Sequence, residues 1–107
     1  MSVSRTTTAE DSDRLPNVHP GEVLREDFLI GSEISVDEVI AGSGIDAAVL
    51  DRLLRESAPI DAETDLRLAR YFGMSEGFFL GLQHDFDLEE ARDAHHDALE
   101  KIVRRAA

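Results

Sequence analysis

The sequence predicts an all-α fold: one domain of five to six short helices that ends in a C-terminal helix. Three observations carry this. Apolar residues recur every three to four positions, as in Ile45, Val49, Leu50, Leu53 and Leu54, and nowhere alternate with the period of two that marks a strand. Residues suited to opening a helix stand ahead of these runs, at Pro20, Ser35, Asp46 and Asp61. Glycines stand behind them, at Gly31, Gly44 and Gly73. At 107 residues, with 42% hydrophobic and 32% charged side chains, the chain matches one globular domain with an ordinary core.

Residues 1–18 mix Ser, Thr and Asp without period and read as a flexible arm. The first helix opens at Pro20, which loses no intrahelical hydrogen bond at its first position, and Glu22 faces the positive end of the dipole. Val23, Leu24 and Phe28 form its apolar stripe, and Gly31 ends it. Ser35 and Glu38 fit a capping box before a short helix with Val39 and Ile40, which stops at Gly42-Ser43-Gly44. Asp46 caps the third helix, and Pro59 is expected to break it. Asp61 caps a fourth with Leu66, Leu68, Ala69 and Phe72 as its buried side. A short fifth helix is expected from Glu76 to Gln83, bearing Phe78, Phe79 and Leu82. After polar His84-Asp85, a last helix begins near Leu88, with Leu88, Ala91, His95, Ala98, Leu99, Ile102 and Val103 along one side. The expected organisation is thus an arm over 1–18, a helical domain over 19–87 and a C-terminal helix over 88–107.

Two helices joined by a turn of three residues containing Gly44 make the layout of a helix-turn-helix, whose second helix can enter a DNA major groove. The same layout occurs in small helical bundles that bind no DNA. Several other function classes fall away on composition. Cys is absent, which removes disulfides, thiolate metal sites and thiol nucleophiles. No long apolar run exists, so neither a membrane span nor a secretion signal is expected, and the default compartment is the cytoplasm. His84, His95 and His96 lie among Asp85, Asp87, Asp93 and Asp97 without a metal-binding spacing, and no nucleophile or convergent acid pair stands out. Neither an enzyme nor a metal or other cofactor is expected.

Charge is the informative composition number: 23 acids against 11 bases leave −12. A field of this sign opposes non-specific nucleic-acid binding and suits a basic protein partner. Plain solubility is the competing explanation.

His19-Pro20-Gly21-Glu22-Val23-Leu24-Arg25-Glu26 resembles the opening signature of the HigA family of antitoxins, a branch of the lambda-repressor-like (XRE) helix-turn-helix proteins. Asp61-Ala62-Glu63-Thr64-Asp65-Leu66-Arg67-Leu68-Ala69-Arg70-Tyr71-Phe72-Gly73 and Ser75-Glu76-Gly77-Phe78-Phe79-Leu80-Gly81-Leu82-Gln83 resemble two further motifs of that family, which commonly has Trp at the place of Phe79. The likeness runs without gaps from His19 to about Leu88. It implies a lambda-repressor-like domain that dimerises, neutralises a small basic RelE/HigB-like ribonuclease toxin and represses its own operon by binding operator DNA.

This chain departs from the family at the face expected to meet DNA. Family members usually carry Gln at the place of Val36, polar residues at Ala48 and Val49, and Asn at Asp51. They usually have Gly and basic residues where Glu56, Ser57 and Ala58 stand. The candidate DNA-binding set is Ser35, Val36, Asp46, Ala47, Ala48, Asp51, Arg52 and Arg55, in which only the two arginines can donate strongly to bases or phosphates. The alternative is an acidic interaction module on the same scaffold that no longer binds DNA, its arginines paired with neighbouring acids. Glu22, Glu26 and Asp27 of the first helix are the candidate toxin-binding residues, joined by Glu10, Asp11 and Asp13 of the arm. Phe78, Phe79, Leu82, Leu88, Ala91, His95, Leu99 and Ile102 are the candidate homodimer interface.

Overall fold

Pro20 opens the first helix, and the residue before it is the cap: His19 is extended at φ −73°, ψ 141°, and its Nδ1 accepts the Gly21 N–H at 2.9 Å. In the computed structural model, which describes residues 16–106, six helices follow. Helix α1 runs Pro20–Val23 and continues without a break as a π-helical stretch, Leu24–Ile30. Its widened turns are closed by bonds such as Gly31 N–H to the Glu26 carbonyl, 2.9 Å. Helix α2 is Val36–Ser43, α3 Ala47–Leu54, α4 Ala62–Phe72, α5 Phe78–Ala94 and α6 His96–Glu100.

The expected starts at Pro20, Ser35, Asp46 and Asp61 are found, whereas α5 opens at Phe78 behind Gly77 rather than at Glu76, and no helix starts at Leu88. Ser35 and Glu38 form the reciprocal capping box of α2, at 3.1 Å and 2.7 Å. Asp46 caps α3 through the Ala48 and Val49 N–H groups, and Asp61 caps α4 through Thr64 N–H at 2.9 Å. That last bond holds the Asp61 carboxyl below the usual carboxylate range.

Several stops differ from expectation. Helix α3 ends at Leu54, well before Pro59, because Glu56 turns the chain at φ 61° and Ser57 N–H closes on the Arg52 carbonyl at 2.9 Å. The expected break at His84-Asp85 is absent. Both residues face solvent while Gln83 is buried and Phe86 half-buried, so a polar pair on the outer face leaves α5 intact. Helix α5 therefore crosses the expected 87/88 boundary, and the real interruption comes at His95, φ −119°. The helix does not extend to Val103; α6 stops at Glu100. Leu66, expected in the buried side of α4, is 40% exposed, and that face instead holds Thr64, Asp65, Leu68 and Ala69. The expected arm divides as well. Asn17 already binds α5, giving hydrogen bonds to the Phe86 carbonyl at 2.9 Å and to Glu90 at 3.0 Å, whereas Glu10, Asp11 and Asp13 lie outside the described residues.

The core is built from every helix but α6. Leu24 and Leu29 of α1 meet Val39 of α2, Leu50 and Leu53 of α3, Leu68 and Ala69 of α4 and the fully buried Phe79 of α5. Around it, Phe28 packs on Phe72 and Phe79 with ring centroids 5.0 Å and 5.1 Å apart, the tilted geometry that aromatic quadrupoles favour.

Candidate nucleic-acid interface

The turn between α2 and α3 is made by Gly44 at φ 74°, a left-handed conformation that a side chain would strain. Ser43 back-bonds to the Val39 carbonyl at 2.6 Å and accepts from Ile45 N–H, which stiffens the last turn of α2. Arg67 of α4 then reaches across. Its Nη1 donates to the Ser43 carbonyl at 3.0 Å while Nε donates to Glu63 at 3.0 Å, so a guanidinium from a third helix closes the C-terminal end of α2. Below the turn, Ile45, Leu50 and Leu53 are buried and fix α3 to the domain.

The outward side of this unit carries the whole expected DNA-binding set. Ser35, Val36, Asp46, Ala47, Ala48, Asp51, Arg52 and Arg55 are all exposed. Their chemistry is uneven. Arg55 donates to Asp51 at 2.6 Å, and with 72% and 57% of the two side chains exposed this is a solvated pair that a phosphate can replace. Arg52 has no side-chain partner among the described residues, so its five donors stand ready for a base edge or a phosphate. Asp46 has its carboxylate turned into its own helix as a cap.

The toxin candidates Glu22, Glu26 and Asp27 are exposed on α1, with Glu26 paired to Arg25 at 3.1 Å. The dimer candidates separate. Phe79 is fully buried in its own core and has no surface to offer a second copy; Phe78 and Leu82 are half-buried. Leu88, Ala91, His95, Leu99 and Ile102 lie in the open, Ile102 at 71% exposure. His95 sits at the joint between α5 and α6 rather than along one continuous apolar side.

Other residues that hold this site in place had no obvious mark in the sequence. Asp65 is buried and accepts from Gly77 N–H at 2.7 Å and Leu80 N–H at 2.8 Å, so it caps α5 from α4. Its place in the apolar period of Leu68, Ala69 and Phe72 was the available signal. Gln83, also buried, accepts from Ile60 N–H at 2.8 Å. Arg25 donates to the Leu54 carbonyl at 2.6 Å and to Glu26 and Glu56, which together stabilise its charged form. No group of three His, Asp or Glu that could hold a metal ion occurs among the described residues.

Comparison with known proteins agrees with this architecture. No protein-family model matches the chain. Virulence-associated protein I of Dichelobacter nodosus is 35% identical over 77 residues, covering 72% of this chain and 71% of the relative. A Pseudomonas aeruginosa protein solved in complex with its 18-bp operator DNA has a TM-score of 0.80 and 32% identity, covering 86% of this chain and 98% of that one. The Pseudomonas aeruginosa antitoxin HigA, solved with the higBA promoter, has a TM-score of 0.76 and 30% identity, covering 86% of this chain and all of the other.

Proposed function

This chain belongs to the HigA family of antitoxins, and we propose that it binds the operator of its own operon as a homodimer and neutralises a small basic RelE/HigB-like ribonuclease toxin by direct contact. The observation that carries the DNA part is Arg52, which has no side-chain partner among the described residues and stands on the exposed side of α3, behind a turn clamped by Arg67. Relatives of the same size and fold are solved on operator DNA, which supports the reading. Two copies related by a two-fold axis present two α3 helices at the ~34–36 Å spacing of one DNA turn. Leu88, Leu99 and Ile102, at 54%, 46% and 71% exposure, are the apolar residues available to join them. Both activities take place on cytoplasmic partners, and no described helix is long and apolar enough to cross a membrane.

A mobility-shift assay with the chain's own promoter at low salt tests this. Wild type shifts the fragment, and Arg52→Ala loses ~1–3 kcal/mol of discrimination against unrelated DNA, the usual worth of a bidentate base contact. Arg55→Ala loses less, since Asp51 already competes for that guanidinium. An Arg52→Ala protein indistinguishable from wild type removes its assigned role. One observation favours a second reading, an acidic interaction module that has given up DNA: the Asp51–Arg55 pair takes one of the two cations on the face. Wild type that leaves its promoter unshifted at low salt selects that reading.

A further inference from the structure

Where α1 ends, the surface opens into a groove of about 500 Å³ whose apolar lining is Leu29, Ile30, Ile34, Val36 and Leu54. Ile30 is 63% exposed and Val36 40%, so large aliphatic surface faces water here. Three further features surround it. Arg25 and Glu33 also line the groove, and Arg25 is already engaged by Glu26 and Glu56 at 3.1 Å each, which leaves one arginine among three glutamates. The wall that supplies Arg25, Leu29 and Ile30 is the π-helical stretch Leu24–Ile30, a rare geometry frequent at functional sites. Finally, Glu33 at φ 58° and Glu56 at φ 61° are the two non-glycine residues with positive φ among the described residues. Both stand just beyond helix ends, where glycine would adopt the same backbone freely. The chain instead holds carboxylates there in a left-handed conformation; Glu33 lines the groove, and Glu56 reaches it through its pair with Arg25. Strain of this kind persists where the surrounding structure over-determines it, and it clusters at functional sites.

We propose that this groove receives a cationic amphipathic segment of the toxin, an apolar side chain seated on Ile30 and Ile34 with flanking Lys or Arg meeting Glu33, Glu26 and Glu56. The inference rests on the toxin reading above and adds where and through what chemistry the toxin is held. The groove shares Ser35 and Val36 with the expected DNA-binding set, so the two ligands meet at its rim; within the groove the acidic frame opposes nucleic acid, whereas a basic protein segment matches both the lining and the charge. Through Arg25 the site adjoins Glu26 of the candidate toxin-binding set and gives it an apolar centre, the arrangement in which an interface concentrates its binding energy.

The test uses the full chain with labelled Ile, Leu and Val methyls and two kinds of probe. The first is a purified small basic protein, taken from the reading frame next to this chain's gene where that frame encodes one. The second is a pair of eleven-residue model peptides, one of Leu and Lys and one of Leu and Glu. The expected result is that the basic protein and the Leu/Lys peptide move the methyl signals of Ile30, Ile34 and Leu54, and the Leu/Glu peptide does not. Ile30→Asp, at an exposed position, weakens the basic protein's binding by about ten-fold or more. The pair Glu33→Gly and Glu56→Gly melts no lower than wild type, because glycine relieves the backbone, yet also binds more weakly. Asp97→Asn on α6 removes the same kind of charge elsewhere and leaves binding unchanged. If the basic protein does not bind wild type at all, the toxin reading fails and the peptides alone decide the groove. The groove is overturned if Ile30→Asp binds the basic protein as wild type does, or if the Leu/Lys peptide moves methyls of α5 and α6 as much as those of the groove. It is equally overturned if the groove methyls shift with the chain's own concentration, which assigns them to a second copy.

Discussion

Two glycines in helices show how the surroundings of a residue decide the sign of one substitution. Gly→Ala inside a helix ordinarily stabilises by ~0.5–1 kcal/mol through backbone entropy. At Gly81 of α5 nothing lies within 4 Å of the position a Cβ would take, so Gly81→Ala is expected to show the full gain. At Gly21 the added Cβ would stand 2.0 Å from the Leu53 carbonyl oxygen, and backbone has to move to admit it. Overpacking of that sort costs ~1–3 kcal/mol, so the clash outweighs the propensity and Gly21→Ala destabilises. Denaturant midpoints of the two variants, moving in opposite directions from wild type, check this; a Gly21→Ala protein as stable as Gly81→Ala would mean that α1 and α3 are not in backbone contact.

At the scale of elements, starts were more legible than stops. Ser35, Asp46 and Asp61 announce their helices because a cap is a local matter of one side chain and two or three N–H groups. The end of α3 and the length of α5 depend on what is packed nearby. His84-Asp85 reads as a loop until the buried Gln83 shows that the polar pair is an outer face, and Asp65 reads as a surface acid until α5 is found resting its first N–H groups on it. The outward set on α2 and α3 was legible for the same reason as the caps, being fixed by helical period from a recognisable turn. Arg67 was not, because its partner carbonyl at Ser43 lies on another helix. The continuity of α5 also changes how the dimer is best probed. A chain ending at Asp87 would strip Asn17 of its bond to Glu90 and leave the Gln83–Asp87 bond at a fraying terminus, and so disturb the monomer itself. Leu99→Asp, on exposed α6, leaves those bonds alone. Sedimentation should find wild type dimeric and Leu99→Asp largely monomeric; an undisturbed dimer would place the interface away from α6.

For the molecule as a whole, the net charge of −12 sets how it meets a basic partner. Steering by opposite fields raises association rates by ~10–10³, and it fades as the Debye length falls from ~10 Å at 0.1 M salt to ~3 Å at 1 M. Stopped-flow association with the toxin should therefore slow steeply across that range, while acidity that serves solubility alone gives a rate indifferent to salt. A second whole-molecule feature is the contact of Gly21 with Leu53, where two backbones meet with no side chain between them. A joint without padding has no play. The helix that bears Glu22 and the helix that bears Arg52 are thereby held at one fixed separation. Titrating operator binding with and without a partner bound to α1 checks whether that joint transmits anything: linkage requires any change in one affinity to be matched by an equal factor in the other.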